Sequence, residues 1–338
     1  MVRHRRRRKR ATLRFILLLL LVAVLVFAAV KLFSPTASAP DSQAQHSVAP
    51  SSSAQAAVQP TPTPSPTPEP TPTPRPFTPV SSDGLHSSNA ILMRVEDGIT
   101  LMEKGAQEKV YPASLTKIMT ALVAIEHLAD LNEAFTVTNE ILNPLYEANA
   151  SMAGFIAGEE VKAIDLLYGV VLSSGGECSA VLAIETAGSQ SAFVGLMNRK
   201  AESLGLADTH FANITGLHDR DHFTTVSDMA VLLHHALQNE TFRTLFTTMR
   251  HTVGSTNVHP EGVTLYSTMI LKMQDPAFAG GRVLGGKTGY TAEAGLCLAS
   301  LAEKDEEEYI LVTVGAGGDH QTEPHNIEDA LDVYARID

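Results

Sequence analysis

Three stretches of the chain carry residue types that can do chemistry at close quarters. In "PASLTKIMTA" (residues 112–121), Ser114 and Lys117 stand three apart, and on a helix such residues share a face. A serine hydroxyl beside a lysine amine is an oxygen nucleophile beside a proton acceptor, provided that the lysine is neutral. Bringing a lysine from about 10.4 to near 7 costs ~4 to 5 kcal/mol and calls for burial or a second nearby cation. Ser-x-x-Lys also arises by chance about once in a chain of this length, so for the pair taken alone an N-capping Ser114 followed by a solvated Lys117 is the better explanation. "LSSGGECSA" (residues 172–180) sets Ser174 in a Gly-rich turn between two helices, and "GGKTGYT" (residues 285–291) sets Lys287 and Thr288 on a strand. Read singly, the first is a helix C-cap followed by an N-cap and the second a tight turn with a surface lysine.

The elements that must position these residues are legible in the hydrophobic pattern. "AILMRV" and "TLMEK" flank "EDGI", and Asp97-Gly98 between apolar runs signals a β-hairpin. Leu115, Ile118, Met119 and Leu122 recur at helical spacing, which puts Ser114 at the start of a helix facing a core. Residues from about 139 to 239 read as mostly helical: "AIDLLYGVVL", "SAVLAIETAG", "SAFVGLMNRKAESLG" and "SDMAVLLHHALQ" are broken by glycine-rich or polar turns. Strands return in "GRVLGGKTGYT", "GLCLASLAEK" and "EEYILVTVGA", and "NIEDALDVYARI" closes as a helix. Strands at both ends around a helical block imply one α+β domain, with an antiparallel sheet, an inserted helical lobe and a cleft between them.

In the order Ser-x-x-Lys, serine on a helical turn, Lys-Thr-Gly, the three stretches match the constellation of the penicillin-recognising serine enzymes. Over about residues 86–338 the sequence resembles the low-molecular-mass D-alanyl-D-alanine carboxypeptidases of bacteria. "PASLTKIMTAL", "AGEEVKAIDLLYGVVLSSG", "FVGLMNRKAESLGLADTHFANITGLHD" and "GGKTGYTAEAGLCLAS" carry the likeness. The resemblance implies the penicillin-binding, β-lactamase-like transpeptidase fold, with neither cofactor nor metal. It implies Ser114 as nucleophile, Lys117 as general base, and Ser174 as the hydroxyl linking Lys117, Lys287 and the leaving amine. Lys287 and Thr288 would bind the substrate's terminal carboxylate, and the backbone N–H groups of Ser114 and Tyr290 would form an oxyanion hole. Gly289 would let substrate lie against the strand. The implied substrates are peptidoglycan stem peptides ending in D-Ala-D-Ala, with β-lactams as covalent inhibitors. A D,D-endopeptidase would use the same residues.

Two departures stand out. Gly176 occupies a substrate-binding position where the family usually has Asn, and "TLYSTMILKMQDPAF" replaces the family's usual Asn-containing strand before Lys-Thr-Gly. Gly176 brings in a third reading, a catalytically silent penicillin-binding sensor or wall-binding domain, against which stands the retention of Ser114, Lys117, Ser174, Lys287 and Thr288. The deacylating glutamate motif of class A β-lactamases is missing before Ser174. The chain ends soon after its last helix, so the C-terminal β domain and amphipathic tail of many relatives are expected to be absent, with an N-terminal anchor in the tail's place.

Residues 1–14 hold eight Lys or Arg, and the apolar run from Phe15 to Val30, extended by Leu32 and Phe33, is long enough to cross a bilayer. The basic side stays in the cytoplasm by the positive-inside rule, so residues 15–33 read as a signal anchor with the catalytic domain outside. A cleaved signal peptide is the rival; its best site, Ala37-Ser-Ala39, is followed by Pro40. Residues 34–82, with "PTPTPSPTPEPTPTPRP", read as an extended linker before a catalytic domain at 83–338. Nine of the 25 Lys and Arg lie in residues 1–31, which leaves 16 against 37 Asp and Glu and a charge of −21 outside; nucleic-acid binding is excluded on that balance. Cys178 and Cys297 fit two buried thiols or one disulfide equally, and "HDRDH", with His218 and His222, reads as a polar loop rather than a metal face.

Overall fold

The computed structural model describes residues 77–338, so the basic tail at 1–14, the apolar segment at 15–33 and all but the end of the expected linker lie outside it. The linker's end belongs to the domain. Val80 is buried and its N–H donates to Leu101 O at 2.9 Å, which moves the domain start ahead of residue 83.

β1 (Asn89–Arg94) and β2 (Thr100–Lys104) form the expected hairpin. Gly98 takes φ +69°, and the Asp97 carboxylate accepts from Arg94 Nε at 3.0 Å and from the Ile99 N–H at 3.2 Å, which closes the turn. A 3-10 turn, Ala113–Thr116, leads into α1 (Lys117–His127). Then come β3 (Ala134–Thr136), α2 (Asn139–Glu147), β4 (Glu160–Lys162), α3 (Ala163–Val171), α4 (Gly176–Ala187), α5 (Gln190–Ser203), α6 (Val226–Ala236) and α7 (Glu240–Thr247). β5 (Arg250–Val253), β6 (Val263–Tyr266), α8 (Thr268–Met273) and β7 (Ala277–Phe278) precede β8 (Gly281–Thr291), β9 (Gly295–Lys304), β10 (Glu307–Ala316) and α9 (His325–Ala335).

The main sheet is antiparallel in the order β2-β1-β10-β9-β8-β7, while β3 with β4 and β5 with β6 make two small ribbons. Both faces of the sheet are covered. Ile91 and Met93 belong to the core shared with the helical lobe, and Ala90 and Leu92 to a second core under α8 and α9. That two-sided burial explains why β1 reads as a continuous apolar run instead of alternating. α1 runs through the lobe against α3, α4, α5 and α6, burying every residue from Lys117 to Ala124. On the far face, α9 clips the chain ahead of β1, since the Asp329 carboxylate accepts from the N–H groups of His86 (2.9 Å) and Ser87 (2.8 Å).

Two features position the cleft. β7 pairs with β8 only through Ala277↔Arg282 and Phe278↔Gly281, so beyond Val283 the outer edge of β8 has no strand partner among the described residues. The turn Ala113–Thr116 packs against β8 and β9. "TLYSTMILKM" is the strand β6 followed by the short helix α8, whose Met269 and Met273 face the second core. Cys178 and Cys297 are free and buried, which resolves the open choice in favour of thiols.

Candidate active site

Ser114 sits in the 3-10 turn, not in α1 itself, and makes no helix cap. The preceding Ala113 takes φ +46°, the left-handed region that an L-residue enters only when its surroundings hold it there. Gly216 supplies part of that grip: at φ +84°, a Cβ added to it would stand 1.7 Å from Ala113 O, so the loop at 213–216 presses its bare backbone onto the turn. Asn213 Oδ1 shapes this loop by accepting from the N–H groups of Thr215 (3.1 Å) and Gly216 (2.8 Å).

Lys117, one turn on, is 3% exposed. Its Nζ lies 3.2 Å from Ser114 Oγ and donates to Thr215 O at 2.8 Å. Burial pulls its pKa down to about 7, against the opposing pull of Glu177. A buried amine whose charged form is disfavoured and which touches a serine oxygen has the geometry of a proton acceptor. This is the decisive difference from a solvated first-turn lysine.

Lys287, on β8, is buried and donates to Thr288 O at 2.8 Å; burial first, and then Lys117, push it well below the ordinary lysine range. Thr288 is more open. It shares a 2.7 Å hydrogen bond with Thr268 Oγ1 on α8. Gly289 lets the strand close on Ser114: an added Cβ would lie 3.0 Å from Ser114 N. Ser174 holds a strained backbone at φ +59°, and its buried Oγ has no hydrogen-bond partner among the described residues, which leaves its capacity unspent. Ser114, Ser174, Thr288, Gly289 and Tyr290 line one arm of the cleft, and Ser114, Lys117 and Tyr290 the adjoining arm. The fold thus gathers the residues of all three stretches.

Gly176 is different. It is buried at the start of α4, its N–H donates to Ser151 O at 2.7 Å, and an added Cβ would meet Ser151 O at 3.2 Å and Leu145 Cδ2 at 3.3 Å. The loop has closed around glycine, and Ser151 lines the cleft there. Gly176→Asn is therefore expected to lower the thermal midpoint and leave turnover no higher than in the wild type, as melting curves and initial rates would show. Glu177 does not stand in for the missing amide. Its Oε1 accepts from the N–H groups of Ala153 (2.7 Å) and Gly154 (2.9 Å), and burial pushes the carboxyl up.

Four residues escape the sequence reading. Thr215 fastens Lys117 through a carbonyl, which carries no side-chain signal. Thr268, Lys272 and His320 reach the cleft from α8 and from the loop after β10, with His320 edge-on to Tyr290 at 4.8 Å. His222, expected on a polar loop, is 2% exposed and faces Thr116.

Residues 77–318 match the family described as D-alanyl-D-alanine carboxypeptidase. The D-alanyl-D-alanine carboxypeptidase DacF of Bacillus subtilis (strain 168) is 34% identical over 234 residues, which are 68% of this chain and 57% of that protein. DacC of Escherichia coli (strain K12), also a D-alanyl-D-alanine carboxypeptidase, is 35% identical over 240 residues, or 68% of this chain and 56% of the relative. This chain thus spans little more than half the length of these relatives. The crystal structure of the Streptomyces K15 DD-transpeptidase superposes with a TM-score of 0.68 at 27% identity, covering 75% of this chain and 98% of that one.

Proposed function

The chain belongs to the D-alanyl-D-alanine carboxypeptidase family, and on that premise we propose that it removes the terminal D-alanine from peptidoglycan stem peptides through an acyl-enzyme on Ser114. The observation that carries this reading is the buried Lys117 amine, drawn down to about 7 and 3.2 Å from Ser114 Oγ. Neutral Lys117 takes the Ser114 proton as Oγ bonds to the carbonyl carbon of the penultimate D-alanine. The resulting oxyanion is held by the N–H groups of Ser114 and Tyr290, which Gly289 allows to converge. Collapse breaks the C–N bond, and the departing amine receives from Lys117, by way of Ser174, the proton that Ser114 gave up. Water then hydrolyses the ester by the same route. The unpartnered edge of β8 supports a substrate backbone laid along it as an added strand.

Lys287, which the resemblance pairs with Thr288 at the substrate's terminal carboxylate, is buried, and we propose Lys272, a half-exposed lysine lining the same cleft as Thr288, as the cation that meets that carboxylate. Lys272→Ala is expected to raise KM for a D-Ala-D-Ala peptide by about tenfold, the worth of one partly solvated charge-assisted hydrogen bond, with kcat within about twofold. Steady-state kinetics against the wild type would check it, and an unchanged KM would remove Lys272 from the carboxylate site.

The test of the function is direct. The purified full chain, given a stem pentapeptide ending in D-Ala-D-Ala, should release D-alanine. Cleavage of cross-linked stem peptides without release of D-alanine would move the reading to an endopeptidase, and penicillin acylation without either would leave a sensor. We further propose that residues 15–33 anchor the domain outside the cytoplasmic membrane, on the strength of the apolar run and its basic N-terminal flank. Membrane-fraction protein is then expected to keep its arginine-rich N-terminus. A mature N-terminus between Ser34 and Asp41 would refute the anchor.

A further inference from the structure

Ala113 lies in the left-handed region directly before Ser114, and its carbonyl accepts from Thr116 Oγ1 at 2.8 Å. Thr116 is fully buried, and its Oγ1 is 2.7 Å from His222 Nε2. The other ring nitrogen, Nδ1, receives the N–H of Ala212 at 3.0 Å and that of Asn213 at 3.3 Å. Because Nδ1 accepts, the one proton of the neutral ring is on Nε2, and every direction in the chain of bonds is fixed: His222 Nε2–H to Thr116 Oγ1, and Thr116 Oγ1–H to Ala113 O.

We propose that His222 is a positioning residue that holds the strained turn under the nucleophile through Thr116 and seats the loop under the base through Nδ1. The loop fixed at Ala212 and Asn213 is the one whose Thr215 carbonyl receives Lys117 Nζ at 2.8 Å. One imidazole therefore sets two coordinates at once, the pose of the Ser114 N–H and oxygen, and the pose of the amine that deprotonates it. A doubly protonated ring would oppose the two backbone N–H groups, and burial keeps the ring neutral, with its pKa near 4. This inference rests on the reading of Ser114 as nucleophile and Lys117 as base.

The experiment measures acylation by a fluorescent penicillin on the full chain, separating the non-covalent dissociation constant from the acylation rate constant, with melting curves alongside. Thr116→Val removes the link and keeps the shape. It is expected to slow acylation by about 10- to 100-fold with the dissociation constant within about threefold, as a displaced nucleophile requires. Thr116→Ser, which keeps the hydroxyl, should recover most of that loss. His222→Asn, which keeps an acceptor near the loop and loses the donor to Thr116, should behave as Thr116→Val does. A folded Thr116→Val that acylates at the wild-type rate overturns the proposal. The imidazole nitrogen resonances of the wild type give a second measurement: between about pH 5 and pH 8 His222 should be the Nε2–H tautomer, and an Nδ1–H form would overturn the proposal whatever the kinetics. A wild type that is never acylated removes the proposed function instead, and the tautomer still decides the role of His222.

Discussion

Incubated with benzylpenicillin, the wild-type chain is expected to gain the drug's mass on the one peptide that bears Ser114, and Ser114→Ala to gain none. Labelling that survives in Ser114→Ala would sink the nucleophile. Lys117→Ala keeps the oxygen and removes its proton acceptor, so acylation should slow by about 10²- to 10⁴-fold while non-covalent binding stays near the wild-type value. The sign of the pH dependence follows from the same group. Burial lowers the Lys117 pKa to about 7, the protonated amine cannot accept, and acylation should therefore rise as pH passes upward through that value and level off above it. Stopped-flow acylation across the pH range would check it; a rate already at its plateau well below pH 7 would mean another base.

The second large effect belongs to a residue that touches no substrate. Gly216→Ala places a methyl carbon where Ala113 O already is, 1.7 Å away, at a φ of +84° that alanine also resists. The clash is with backbone, so no side chain can swing aside. Either the 213–216 loop lifts, taking the Thr215 carbonyl from Lys117, or the turn at Ala113 gives way under Ser114. Stability should fall by about 2 to 4 kcal/mol. Acylation should fall by about 10²-fold or more, since a displacement near 1 Å misplaces both Ser114 and Lys117, the proposed nucleophile and base. Melting curves and penicillin labelling read the two effects separately, and a Gly216→Ala protein with wild-type values of both would show that the loop does not brace the turn.

Much of this architecture is legible in the sequence because it is local. The stretches "GRVLGGKTGYT", "GLCLASLAEK" and "EEYILVTVGA" are the strands β8, β9 and β10 to the residue, and the spacing of Ile118, Met119 and Leu122 marks α1 as a helix, though α1 is buried all round from Lys117 to Ala124. Ser114 and Lys117 are three apart, so a single turn of chain is enough to bring them together. What the pattern hides is long-range. Thr215 and His222 reach the site from some 100 positions away. The link from Thr215 is a carbonyl that every residue has, and His222 lies in a polar run whose charged neighbours disguise its burial. Gly176 reads as a gap where an amide should be. Only the packing of Ser151 and Leu145 over it shows that the space is filled. The short helix α8 and the ribbons β3–β4 and β5–β6 are too brief to set a period of their own.

β1, in the interior of the sheet, takes β10 as its partner, and the clip from Asp329 to His86 spans 243 positions. A chain made from its N-terminus therefore finishes the β1–β2 hairpin and the whole helical lobe before the strand that must cover β1 exists. Until then one apolar edge of β1 stays bare, and the entropy of closing so long a loop has to be met before the central pairing returns any of it. Folding of this domain should accordingly be slow and late, completed after β10 and α9 emerge, and a chain interrupted before residue 307 should be prone to aggregation through that unpaired edge.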